Sequence, residues 1–258
     1  MQARLDSDTI VIGAGLVGAA CAARLAHAGR EVLLLDMQAP GHGASFGNAG
    51  HVATEQLVPL ANPQVIRDSW RYLLNADSPL RVRLPYLLPI LPWLARFALA
   101  ARPATLKRGI QALIALQLTA RDDLRDLMQL CGIEHLLSLD GYLRVWEGEA
   151  GAQAARRQAA EVAAYGIRTD ALSAQAVRAE APALSADIAG AICYPDTGHV
   201  GDPYAVCTGF IAALQGWSGR VQRAQVQQLF QEGTGPVRLS LDHGPALYAR
   251  QVVVCAGA

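Results

Sequence analysis

Hydrophobic and polar positions change period several times along the chain, and each change marks an element. Thr9 to Ile12 is a short apolar run, followed at once by glycines and then by a helical stretch, Leu16 to Ala28. Within that stretch Val17, Cys21, Leu25 and Ala28 fall on one helix face. Gly29 supplies a stop, and Val32-Leu33-Leu34-Leu35 is a second continuous apolar run, as in a strand covered on both faces. Strand, helix and strand in close succession make a βαβ unit with a right-handed crossover.

The middle of the chain follows other rules. Pro40 to Gly50 is small and glycine-rich, a loop by composition. Leu80 to Arg102 mixes Leu, Trp and Phe with Pro85, Pro89 and Pro92, which break any long helix; interrupting charges exclude a transmembrane span. Thr105 to Cys131 reads as one long amphipathic helix, with Leu106, Ile110, Leu113, Ile114 and Leu118 on one side and Gly132 as its C-terminal cap. Gly141 to Trp146 alternates like a strand, Glu149 to Tyr165 like an exposed helix, and Ile188 to Tyr194 is another strand. Asp202-Pro203 suits a helix start, Asp as N-cap and Pro at the first helical position, ahead of Ala205 to Leu214. Val221 to Leu229, Val237 to Leu241 and Val252 to Cys255 are strand-like.

Composition narrows the function classes. The 258 residues carry 22 basic and 22 acidic side chains, so the electrostatic footprint of a nucleic-acid binder is missing. Apolar residues reach 52% and charged residues 17%, which argues against disorder. Cys21, Cys131, Cys193, Cys207 and Cys255 are far apart, odd in number and without a CxxC pair. They read as small buried hydrophobes in a reducing compartment, not as a disulfide framework or a zinc site. His27, His42, His135, His199 and His243 have no metal-ligand spacing either, so loop or surface places are expected and no metal. Polar Gln2 to Asp8 shows no cleavable signal, and a cytoplasmic protein is expected.

Gly13-Ala14-Gly15-Leu16-Val17-Gly18 is a GxGxxG, weak evidence alone but strong in this setting. It follows a strand, opens a helix, and is succeeded by Asp36 at the end of the next strand. Gly13 permits the tight turn, Gly15 lets a pyrophosphate approach the backbone, and Gly18 lets helix and strand pack closely. The helix N-terminus offers unpaired N–H groups to phosphates, and Asp36 would accept hydrogen bonds from ribose hydroxyls. Met37 follows where an Arg for a 2′-phosphate would sit, which disfavours NADP. The fingerprint by itself does not separate FAD from NAD.

The next segment does. Gly41 to His51, containing Ala44, Ser45, Asn48, Ala49 and Gly50, resembles the second flavin-contacting stretch of the D-amino-acid dehydrogenase and glycine oxidase superfamily of FAD-dependent enzymes. There a loop carrying a Ser and an Asn-Ala-Gly wraps the pyrophosphate and ribityl chain. Glu180-Ala181-Pro182-Ala183-Leu184 is similar to the family's Glu-Pro-x-Leu, with Ala181 inserted. Val226 sits where a strand residue of the family meets adenine, and Val252 to Ala258, with Ala256 and Gly257, resembles the strand and turn beneath the cofactor. Gly50 to Gln56 looks closest to bacterial dehydrogenases of D-amino acids, D-hydroxyproline included.

The resemblance implies an α/β fold: a Rossmann-like FAD-binding domain with a parallel sheet (1–75 and 200–258), interrupted by an α+β substrate domain (76–199). In the family the chain continues, so the C-terminal part of both domains is read as missing and supplied in trans, or the chain as truncated. The implied reaction passes the α-hydrogen of a D-amino acid as hydride to flavin N5, giving an imino acid that water converts to a 2-oxo acid, with electrons leaving to a quinone-type acceptor. His51 is the titratable side chain expected near the isoalloxazine and the one candidate catalytic residue. Tyr142 and Arg144 are pocket candidates at even odds with the opposite face. Rival readings are an oxygen-using oxidase of glycine or sarcosine and a non-catalytic FAD-binding subunit; an NAD-dependent dehydrogenase is disfavoured by Ser45 to Gly50. Arg81, Arg83, Arg96, Arg102, Lys107 and Arg108, set among Leu, Trp93 and Phe97, suggest peripheral contact with the inner face of the cell membrane. The rival role for those apolar residues is packing of the substrate domain.

Overall fold

The computed structural model describes residues 5–74 and 84–257. It begins with β1 (Ser7–Ile12), α1 (Leu16–His27), β2 (Val32–Asp36), β3 (His51–Val52) and α2 (Pro63–Leu74). After a 3-10 turn at Leu84–Tyr86 come α3 (Leu87–Ala100), α4 (Pro103–Gln117) and α5 (Ala120–Leu130). Then follow β4 (Leu137–Ser138), β5 (Tyr142–Glu147), α6 (Gly148–Ala163), β6 (Asp170–Ser173), α7 (Ala174–Glu180) and β7 (Ile188–Tyr194). The last group is β8 (Gly198–Val200), α8 (Pro203–Gly216), β9 (Arg220–Arg223), β10 (Val226–Gln231), β11 (Val237–Leu241) and β12 (Leu247–Val254).

Contacts divide the chain into two units, one of residues 1–52, 122–140 and 198–258, the other of 53–121 and 141–197. In the first, a six-stranded sheet runs β10-β11-β12-β1-β2-β9. Its β12, β1, β2 and β9 are parallel, with Ile10 beside Leu33 and Ile12 beside Val254, while β10, β11 and β12 form an antiparallel meander. Alternation along β1 and β2 splits the core in two. Val11, Val32 and Leu34 face α1 and α8, where Ala19, Ala22, Ala23, Phe210 and Leu214 close over them. Ile10, Leu33 and Leu35 face the other way, onto Leu239, Leu247 and Ala249. A second, three-stranded sheet in this unit runs β3-β8-β4. The sequence groups 122–140 with 76–199, but Leu124, Leu127, Met128 and Ile133 of that span pack into the core around Phe210.

The other unit holds the antiparallel sheet β5-β7-β6, with α6 over one face and α7 over the other. Ala155, Val162, Ile192 and Tyr194 fill the first layer; Val177, Ile188 and Ala191 fill the second. Tyr142 packs near the Tyr194 ring, and Arg144 bonds Gln158 of α6, which shows the face both side chains take.

Four local expectations need correction. The buried face of α1 is Gly18, Ala19, Ala22, Ala23 and Ala26, not the Val17–Ala28 stripe, and Val17 is 67% exposed. Small side chains win there because helix and sheet approach closely. Pro92 lies inside α3 rather than ending it, and Pro89 falls in its first turn, where a missing N–H removes no helical bond. The single helix over Thr105 to Cys131 is two, α4 and α5, and the unit boundary after Arg121 assigns the halves to different units. The strand over Val221 to Leu229 is also two, since Ala224 and Gln225 turn to bond Asp36 and Asp242. Gly132, at φ +73, does cap α5: its N–H reaches the Gln129 carbonyl. Asp202 caps α8 by accepting the Ala205 N–H at 3.0 Å.

Candidate functional site

The carboxyl ends of β1, β2 and β9 and the N-terminus of α1 meet at the turn Gly13–Gly18, the place where open α/β sheets take ligands. The turn is built around atoms that leave no room for side chains. A Cβ on Gly13, at φ +102, would stand 2.2 Å from the Cys255 carbonyl oxygen, and one on Gly18 would stand 1.7 Å from the Gly13 oxygen. A Cβ on Gly15 would meet the Ser45 hydroxyl at 2.9 Å. Gly13 and Gly18 therefore serve close packing, and Gly15 keeps the approach to the helix end clear.

Donors converge on that clearing. Ser45 Oγ accepts the Leu16 N–H at 3.0 Å, which fastens the second glycine loop to the first turn of α1. Asp36 accepts the Ala14 N–H at 2.6 Å through one oxygen and the Gln38 N–H at 2.7 Å through the other. Each oxygen keeps a lone pair for a further donor. Among the described residues the Gly15 and Val17 amides take no protein acceptor, as an anion-binding helix N-terminus requires. These unfilled amides, the Cβ-free approach and the carboxylate at the end of β2 fit the pyrophosphate and ribose of a dinucleotide.

The second loop is held from below. The Gly41 N–H donates to the Ala14 carbonyl at 2.9 Å, and the buried Cys207 thiol points to the same oxygen at 3.4 Å. Burial, and after it the Asp36 charge, pushes that thiol up to about 11, so it stays a protonated donor. Asn48 staples the loop: its amide donates to the Ser45 carbonyl and its carbonyl accepts the Gly50 N–H. Ala44 and Ala49 lie exposed on the loop. Gly50, at φ +68, seats on β8, where a Cβ would stand 2.2 Å from the Val200 oxygen.

His51 follows directly and pairs with His199 across β3 and β8, so both imidazoles leave the sheet on one face. Asp140 stands 3.5 Å from the His199 ring. Val226 opens β10 opposite Leu241, and Met37 is exposed beyond Asp36, its carbonyl accepting Arg223 Nε at 3.1 Å. Ala256 and Gly257 continue from β12 past the Cys255 carbonyl that floors Gly13. All the named positions thus belong to one unit. Sequence reasoning gave His199 only a loop or surface place and left out Asp140, Tyr204 and Arg223. No spacing could have found them, because sheet pairing and the aromatic contacts of His42, Phe46 and Tyr204 bring them in from distant segments.

Comparison with known proteins gives a consistent picture. Residues 8–258 match the family model DAO, described as FAD dependent oxidoreductase. D-amino acid dehydrogenase 2 of Ralstonia nicotianae is 33% identical over 255 residues, which is 96% of this chain and 59% of that protein. A D-amino acid dehydrogenase of Helicobacter pylori is 26% identical over 88% of this chain and 52% of its own length. Among solved structures, glycine oxidase from Bacillus cereus superposes with a TM-score of 0.63 at 20% identity, over 98% of this chain and 55% of that one. L-amino acid deaminase from Proteus vulgaris gives 0.64 at 14% identity, over 100% and 49%. The chain therefore spans about half the length of the relatives it matches.

Proposed function

The chain belongs to the DAO family of FAD-dependent oxidoreductases, and on that footing we propose that the whole protein oxidises the amine-bearing carbon of a D-amino acid to an imino acid. The observation that carries the reading is the Ser45–Leu16 bond, which brings the dinucleotide turn and the loop through Asn48-Ala49-Gly50 to one place. Bound flavin supplies the redox chemistry, accepting the substrate α-hydrogen as hydride.

The chain's own residues bind and orient. Gly15 and Val17 offer N–H groups to the pyrophosphate, with the α1 dipole behind them. Asp36 takes ribose hydroxyls and Val226 borders the adenine. Ser45, Ala44, Asn48 and Ala49 set the path of the loop along the ribityl chain, and Gly50 fixes where His51 begins. His51 supports negative charge on the isoalloxazine or shapes the substrate side. Ala256 and Gly257 form the floor.

Further parts of the proposal concern partners. D-Hydroxyproline is one candidate within the D-amino acid class, and a quinone-type acceptor takes the electrons. Contact with the inner membrane face is supported by α3, where Leu88, Leu91, Trp93 and Leu94 are exposed and Trp93 stacks on Phe97. No carboxylate occurs between Ser78 and Arg121, while Arg96, Arg102, Lys107 and Arg108 are exposed there; Arg81 and Arg83 lie outside the described residues. Among the described residues no helix is long and apolar enough to cross a membrane.

The test is an absorption spectrum of the purified protein supplied with FAD, then with D- and L-amino acids under anaerobic conditions. Retained flavin that bleaches with a D-amino acid and not its L-enantiomer is expected. A colourless protein removes the cofactor assignment, and a retained flavin that no D-amino acid bleaches removes the substrate class.

A further inference from the structure

Arg223 occupies a position that no fingerprint residue predicts. It ends β9 in parallel register with Asp36, at the carboxyl edge of the sheet where the ligand side lies. Its Nε donates to the Met37 carbonyl at 3.1 Å, so the guanidinium is tied to the residue following the ribose-binding carboxylate. The Ala224 N–H donates to the Asp36 carbonyl at 2.8 Å, which holds this strand end against β2. Among the described residues no carboxylate lies within ion-pair reach of Arg223, and the side chain is exposed. Its two terminal nitrogens are therefore open donors on a planar cation. The backbone amides of Ala14 and Gln38 fix the direction of the Asp36 carboxylate, one on each oxygen.

The sequence alone finds Met37 where a cation would stand and sees none. The fold brings the cation in from another strand. Pyrophosphate belongs at the α1 N-terminus, on the other side of Asp36, so Arg223 faces what lies beyond the ribose. Val226, the residue proposed to border the adenine, opens the next strand three positions on. A guanidinium suits a purine there because its flat face stacks on an aromatic ring and its edge donates to ring nitrogens or hydroxyls.

Resting on the dinucleotide reading above, we propose that Arg223 is a ligand for the adenosine half of FAD, its guanidinium lying against the adenine and fixed in place by the Met37 carbonyl. The residue adds affinity for the nucleotide end and none for the flavin end. It is also the reason an exposed Met37 suffices after Asp36.

Equilibrium binding of FAD, ADP and FMN to the apoprotein, followed by fluorescence and by competition, tests this in wild type, Arg223→Gln and Arg223→Lys. Arg223→Gln is expected to weaken FAD and ADP about tenfold, with Arg223→Lys between, and to leave FMN unchanged. FAD affinity within twofold of wild type in Arg223→Gln overturns the proposal. An equal loss for all three ligands, with a lowered melting temperature, also overturns it, because Arg223 would then serve only the β2–β9 edge. A wild-type protein that binds none of the three removes the parent reading and this one together.

Discussion

Single side chains in the cradle do unequal work. Asp36 meets two backbone N–H groups, so Asp36→Asn must turn an NH2 toward at least one of them. A loss of about 1–3 kcal/mol in stability is expected from denaturant titration, together with weaker FAD retention. Cys207 carries a pH signature. Its thiol is raised from its usual value near 9 to about 11. The neutral form is favoured in the folded state, so the unfolded chain loses its proton first as pH rises. The contribution is whole below about 9 and is lost progressively as pH rises through about 11. The melting temperature of wild type should therefore fall more steeply over that window than that of Cys207→Ala; equal slopes would remove the assignment. His51→Ala is expected to slow flavin reduction by substrate in stopped-flow measurements, and an unchanged rate would leave the imidazole a loop residue only.

At the scale of elements, α1 is where sequence and structure diverge most usefully. The periodicity locates the helix to within a residue but picks the wrong face, since the alanine stripe carries little hydrophobic contrast with its surroundings. What selects that stripe is proximity: Gly18 lies against the Gly13 carbonyl, and a methyl group has no place to go. Gly18→Ala should cost about 1–3 kcal/mol and abolish FAD binding, read by denaturation and by flavin retention. The break between α4 and α5 was equally hidden. Leu106 to Leu118 continue one helical period, yet Leu118 is 71% exposed and the helix that follows packs into the core around Phe210. β2, β7, β11 and the Asp202 cap were legible because local chemistry alone determines them.

For the molecule as a whole, the cofactor class was readable because its motifs are contiguous. The neighbours of those motifs were not: Arg223 reaches Asp36, and His199 reaches His51, only through strand pairing across long intervals. The exposed apolar helix α3, in a segment between Ser78 and Arg121 that carries basic residues and no carboxylate, yields a prediction at this scale. Co-sedimentation with anionic liposomes should be strong at low salt and fall as salt rises; absence of binding at low salt rejects the membrane proposal. The parallel pairing of β1 with β12 has a different consequence. Ile12 finds Val254, and Gly13 finds the Cys255 carbonyl, only after the long stretch of chain between them has left the ribosome. The glycine turn made first must wait, half built, for a strand translated long after it. A coenzyme that needs the finished turn therefore has no seat on the nascent βαβ segment alone, and gains one only when that distant strand docks.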